Sequence, residues 1–392
     1  MALLAIAAGL LLACMVAWPM EAAAAAMRGL TLWATAVLPS LFPFMVCCQL
    51  LAASDTLARL GAPLDGLARR LLRCPGEAAP LVLLGLLGGS PSGARMIAAR
   101  RAEGALTCAE AERLACLTGT VSPMFLLGAL AGWAGLPQGG WLLLGAHWAG
   151  ALVVGLVFAR LIQERDFAPG GERPEGFAVA LRPPSRPIRA SKQAAAFGEA
   201  VHSAAQALLT VGGCIALGTV ASAMVGRLLP SMPAALSAAL HAALEMAGGA
   251  AELAALRLPP RALLCALAAA PSLGGLSILA QNMAFLSPAN VRAWPLLSAR
   301  LLHAALSAAI AWLLTPRLAT VAFVPARGIA FASPAIYGAA LCVVPAMFGV
   351  LGSILHLHRV TAPCAKSPGF SPAGARRRSA RACPPPPPGP RP

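Results

Sequence analysis

Gly85-Leu86-Leu87-Gly88-Gly89-Ser90-Pro91-Ser92-Gly93-Ala94-Arg95-Met96 is the stretch whose reading decides the fold. It closes an apolar run that starts at Pro80, breaks at Gly-Gly-Ser-Pro-Ser-Gly, and resumes as a helix-compatible segment carrying a charge. An uninterrupted membrane helix has no use for that composition. Broken backbone inside a bilayer is tolerated only where protein or a watery cavity satisfies the freed N–H and C=O groups. Discontinuous helices of this kind line the substrate sites of many secondary transporters. The pattern recurs as Ala270-Pro271-Ser272-Leu273-Gly274-Gly275-Leu276-Ser277. The two breaks are read as two halves of one site.

The composition around them sets the class. Of 392 residues, 58% are hydrophobic and 11% charged, against about 25% charged in soluble domains. The chain is an all-α polytopic membrane protein. Its formal charge of +16 does not point to nucleic acid. The arginines lie between apolar segments and in the tail, no aromatic-interleaved basic domain is present, and a cytoplasmic positive bias accounts for them. The dominance of Arg over Lys, which occurs only at Lys192 and Lys366, fits a GC-rich genome. The cysteines form no C-x-x-C pair and no Cys/His cluster at zinc spacing, so no metal site or cofactor is expected.

Working outward, Ala2 to Trp18 lacks a basic leader and a clear cleavage site, and is expected to be a first span rather than a removed signal. Leu30 to Ala53 is a second span, kinked by Pro39 and Pro43. Asp55 to Glu77 repeats leucine at helical spacing between arginines and is expected to lie along the cytoplasmic interface. Pro80 to Ala99 then forms a re-entrant hairpin, and Leu114 to Trp133 and Gly139 to Ile162 a pair of spans. In the second half Ala204 to Leu229, Ala234 to Leu256, the broken Ala262 to Phe285, and Leu296 to Leu314 follow. Val321 to Ala332 and Ile336 to Leu357 are weaker, Pro-punctuated stretches. The domain map is an N-terminal span and loop (1–29), a first half (30–162), a basic Pro/Gly linker (163–200), a second half (201–314), C-terminal apolar segments (315–357) and a disordered basic Pro-rich tail (358–392).

The candidate site residues follow from the breaks. A helix restarting near Gly93 would aim free N–H groups into the first break, with Ser90, Ser92 and Arg95 adding donors suited to a carboxylate. The competing reading is close packing through small residues, with Arg95 snorkelling to the interface. The second break supplies Ser272, Gly274, Gly275 and Ser277, with Gln281 one turn beyond Ser277 and Asn282 next to it. Interhelical hydrogen bonding is the alternative there. Glu245 is the sharpest single residue, an intramembrane carboxylate that could contact substrate, carry a coupling proton or pair with Arg300. Arg300 could itself meet an anion. Thr118, Thr120 and Ser122, before Pro123, form a third polar patch. His147 and His303 lack a second ligand at metal spacing and are expected to be hydrogen-bonded core histidines.

Three groups of residues carry a family resemblance. Gly88-Gly89-Ser90-Pro91-Ser92-Gly93-Ala94-Arg95, then Leu106-Thr107-Cys108-Ala109-Glu110-Ala111-Glu112-Arg113-Leu114, then Ser122-Pro123-Met124-Phe125-Leu126-Leu127-Gly128 resemble the YlbJ-type sporulation integral membrane proteins of the nucleoside-recognition (Gate) domain family. Leu244-Glu245-Met246-Ala247-Gly248-Gly249 and Leu273 to Gln281 look like that family's second-half motifs. The resemblance covers about Leu30 to Leu314. It departs at Ser122, where members commonly carry Asn, and at Met246-Ala247, where they carry Thr-Asn. It implies two pseudo-repeated halves, each with a broken or re-entrant helix, related to concentrative nucleoside transporters. It also implies a sporulation role, moving dipicolinic acid across the outer forespore membrane. A small aromatic dianion suits the donors described above.

The expected function is therefore transport of a small organic anion within a lipid bilayer, with a proton or cation as coupling partner and no nucleic acid. The expectation is not an enzyme. An intramembrane serine protease built on Ser92 would need one nucleophile rather than two matching breaks. A membrane scaffold or assembly factor for spore maturation is the other class considered.

Overall fold

A computed structural model describes residues 2–52, 56–136, 139–164 and 190–315, and every regular element among them is a helix. The core of the linker, the stretches Val321–Ala332 and Ile336–Leu357, and the tail lie outside the described residues.

The first elements are α1 (Ala2–Ala17) and α2 (Pro19–Leu32), with Pro19 at the start of α2, where its missing N–H leaves no bond unmade. α2 passes through a π-helical turn at Trp33–Val37 into α3 (Leu38–Ala52). Residues 19–29, expected to be a loop, thus belong to one apolar segment, Pro19–Ala52. α4 (Thr56–Gly61) and the amphipathic α5 (Asp65–Leu72) follow. The Arg69 guanidinium beside Asp65, together with the Gly76 N–H, holds that exposed carboxyl below its ordinary range.

α6 (Ala78–Gly88) and α7 (Ser92–Ala102) pack on each other as a hairpin. Each has 11 residues, about 16 Å at the helical rise, so neither crosses a bilayer alone. α8 (Cys108–Thr118) begins with a capping box: Thr107 Oγ1 accepts from Glu110 N at 3.1 Å, and Glu110 Oε2 accepts from Thr107 N at 2.7 Å. It ends at Thr118, the chain runs unwound through residues 119–122, and helix resumes as a π-helical stretch, Phe125–Leu130, continuing into α9 (Ala131–Trp133). α10 (Gly139–Leu161) and α11 (Ala190–Leu228) complete this part.

The second part opens with α12 (Ala234–Leu244) and α13 (Met246–Ala255), again packed together, with Glu245 extended between them. α14 (Pro260–Leu273) and α15 (Gly275–Leu286) are one broken helix, and α16 (Ala293–Leu314) closes the described chain. The order short hairpin, broken helix, long helix therefore occurs twice: α6 to α10, then α12 to α16.

The two expected breaks do meet, Asn282 of α15 donating to Ser90, but the short hairpin that recurs is a different segment. The segment 262–285 is not the counterpart of the first hairpin, because α14 packs on α16 and α13 while α15 packs on α7 and α11. The second hairpin is instead 234–255, expected to be one uninterrupted helix. Likewise the expected span Leu114–Trp133 is broken at residues 119–122.

Polar contacts define two ends. At one end, Arg113 donates to the carbonyls of Arg73 and Ile162 and to Glu164, and Arg160 donates to those of Leu71 and Arg70. Arg100 pairs with Glu77 and Glu103, and Arg292 with Glu112. The open end of the α6–α7 hairpin, the start of α16 and the end of α10 all gather there. At the other end, Arg261 near the start of α14 donates to Trp312 O near the end of α16 and lies over the Trp312 ring at 3.7 Å. The α12–α13 hairpin opens on that side, since α13 ends a few residues before α14 begins. The two hairpins enter from opposite ends.

Candidate functional site

The first break is set by Gly89. Its φ of +67° is a conformation that side-chain-bearing residues avoid. A Cβ there would also lie 2.6 Å from Ser122 N. Ser90 N then donates to Thr120 O at 2.7 Å, across a gap between two non-helical segments. Ser90 Oγ accepts from Asn282 Nδ2 at 3.2 Å, which brings α15 to the same point. Gly85 and Gly93 face Thr118 closely enough that a Cβ at either would crowd it. Gly93 thus serves packing, the alternative weighed from the sequence.

The break between α12 and α13 is set by Glu245, buried at 1% exposure. Its backbone is extended, and its carboxylate caps α13: Oε1 accepts from Ala247 N at 2.8 Å and Oε2 from Gly248 N at 2.5 Å. A carboxylate on free N–H groups at the positive end of a helix is compensated without a counter-cation. Glu245 and Arg300 form no ion pair, so the pairing considered from the sequence is not made. The break expected at 270–277 needs Gly274 and Gly275, at φ +76° and +68°. Gly275 lies against the Ala242 carbonyl at the end of α12. Both glycines shape the backbone.

Between these breaks lies a narrow cleft. Of the expected site residues, Ser90, Ser122, Glu245 and Gln281 line it, joined by Thr120, and Val37, Phe125 and Ile215 are among its apolar walls. An apolar cleft with a few convergent polar groups is the usual form of a small-molecule site.

The other expected residues lie elsewhere. Arg95 donates through both terminal nitrogens to Ser203, to the backbone oxygen and to Oγ, and sits 5.1 Å from the Phe285 ring centre. It ties α7 to α11 and α15. Ser92 Oγ and Ser277 Oγ are buried without a hydrogen-bond partner. Ser272 belongs to a buried chain: His147 Nε2 accepts from Val121 N at 3.0 Å, which leaves Nδ1 to donate to Ser272 Oγ at 2.8 Å. Ser272 Oγ donates to Ser307 Oγ at 2.9 Å, and Ser307 Oγ to Ala146 O at 3.3 Å. His303 Nε2 donates to His147 O at 2.7 Å. Both histidines are hydrogen-bonded core residues, as expected. Their chain anchors the unwound segment 119–122 to α14 and α16.

Arg300 is 4% exposed, and its Nη1 and Nη2 have no hydrogen-bond partner. It lies against Gly119, where a Cβ would come within 1.7 Å of Nη2. Gly119 escaped the sequence reading, although Thr-Gly-Thr-Val-Ser-Pro at 118–123 carries the same small, polar, Pro-terminated signal as the first break.

The chain is 31% identical over 218 residues to the sporulation integral membrane protein YlbJ of Bacillus subtilis (strain 168), a match covering 53% of this chain and 52% of that protein. The match spans about half the length of this curated relative. No family model matches the chain, and no solved structure matches it. The similarity supports a YlbJ-type family assignment. Among the described residues five helices are long and apolar enough to cross a membrane, which together with this similarity supports an integral membrane protein.

Proposed function

We propose that this chain is a sporulation membrane transporter that moves a small organic anion, dipicolinic acid, across the outer forespore membrane from the mother cell. One observation carries the reading: a single cleft is lined by Ser90 and Ser122 from one half and by Glu245 and Gln281 from the other. A site shared by two discontinuous halves can be opened alternately by moving one half against the other. Hairpins entering from opposite ends give each side its own gate. Dipicolinate as cargo comes from the family resemblance. Proton coupling through Glu245 would release the first turn of α13, linking protonation to movement of that hairpin. The orphaned Ser92 hydroxyl, bonded to neither buried histidine, gives a protease reading no support.

The test is the dipicolinate content of spores from a strain lacking this gene, complemented with wild type or Gln281→Ala. Mother-cell synthesis and membrane abundance are measured alongside. The deletion is expected to lose spore dipicolinate with synthesis intact, and Gln281→Ala to restore it only in part at normal abundance. Full dipicolinate in the deletion spores would remove this cargo. Loss of dipicolinate synthesis itself would point to a scaffold role.

A further inference from the structure

Among the described residues Arg300 has no counter-charge. It sits near the middle of α16, and no ion pair among the described residues includes it. The acids of neighbouring elements are engaged elsewhere. Glu112 on α8 receives Arg292 Nε and Nη2 at 2.8 Å each, and Glu245 caps α13. The adjacent histidines offer no substitute, because His147 Nε2 is taken by Val121 N and His303 Nε2 donates to His147 O. A guanidinium withdrawn from water with its terminal nitrogens unbonded is costly, and such groups are normally paired. The missing side chain of Gly119 admits this one to the unwound segment, whose next three residues, Thr120 to Ser122, line the cleft.

We propose that Arg300 receives a carboxylate of the transported anion, its two unbonded terminal nitrogens forming a fork beside the Gly119–Ser122 segment. The forked pair is the geometry in which a guanidinium binds a carboxylate most strongly. Arg95, the cation closer to the first break in sequence, is already held by Ser203 and Phe285. This assignment rests on the anion-transport reading and adds to it the residue that recognises the charge.

Binding and unfolding of the full-length protein in lipid nanodiscs test it. The probes are pyridine-2,6-dicarboxylate and its uncharged diamide. The dicarboxylate is expected to raise the melting temperature of wild type and Arg95→Gln, and the diamide to leave both unchanged. Arg300→Gln is expected to weaken dicarboxylate binding by about tenfold or more, while melting no lower than wild type without ligand, because it removes an unpaired buried charge. Gly119→Ala, which displaces the guanidinium without deleting it, is expected to weaken binding as well, and Arg300→Lys to retain part of it. Equal binding by wild type and Arg300→Gln would place the anion away from Arg300, overturning this assignment and leaving the transport reading intact. A lower melting temperature of ligand-free Arg300→Gln would make Arg300 a structural residue. Failure of wild type to bind this dicarboxylate, benzoate or succinate would overturn both readings.

Discussion

Single residues create the discontinuities, by two different means. At Gly89 the backbone enters a region that other residues avoid and the Ser122 amide occupies the space of a side chain. At Glu245 the means is a side chain that stops one helix and starts the next, with both carboxylate oxygens on α13 N–H groups. Its removal leaves two buried donors unpaired. Glu245→Ala is therefore expected to destabilise the protein by about 2 kcal/mol, the upper range for a lost cap, with Glu245→Gln recovering part of it through one remaining acceptor. Thermal unfolding in detergent measures both. Equal stability of Glu245→Ala and wild type would detach the carboxylate from α13. The Gly89 break was legible because Gly-Gly-Ser-Pro-Ser-Gly has no helical use. The Glu245 break was not, because a carboxylate in an apolar run looks the same whether it faces a partner or caps a helix.

Elements are held in place by buried polar chains rather than by apolar packing alone. His147 on α10 joins the Val121 amide of the unwound segment to Ser272 on α14, and Ser307 on α16 continues the line back to Ala146. Every donor position in that line is used, so it fixes one arrangement of three helices around residues 119–122. His147→Ala orphans the Val121 amide and opens a cavity. A loss of about 3 kcal/mol or more is expected, with membrane abundance falling accordingly. Ser307→Ala removes only the end of the chain and should cost about 1 kcal/mol. A reversed order in a melting series of the two variants would contradict this account. From the sequence, both histidines were legible as hydrogen-bonded core residues, since neither had a ligand partner at metal spacing. Ser272 appeared instead as a binding residue, because a serine just before a glycine pair gives no sign of which neighbour its hydroxyl will meet.

At the scale of the molecule, two hairpins enter from opposite ends and meet at one cleft. Glu103 lies just beyond α7 at the Arg113 end, and Arg257 just beyond α13 at the Arg261 end; both are exposed. Single cysteines replacing them, in a background lacking the native thiols, are expected to react with a membrane-impermeant maleimide from opposite sides of the membrane. Reaction from the same side would refute the opposed arrangement. The sequence by itself determined the class: its scarcity of charge and its apolar runs leave few structures but bundled membrane helices. It also determined where the backbone breaks at Gly89 and Gly274, because glycine pairs and proline act through local conformation alone. Only the tertiary structure decided which breaks face one another. It made 234–255 the second short hairpin, packed α15 on α7 at the first break, sent Arg95 to Ser203, and left Arg300 without a hydrogen-bond partner for its terminal nitrogens among the described residues. Those outcomes depend on contacts between elements far apart in the chain, and local composition is blind to them: a buried polar side chain is placed by whichever neighbour the packing brings within a hydrogen bond's length.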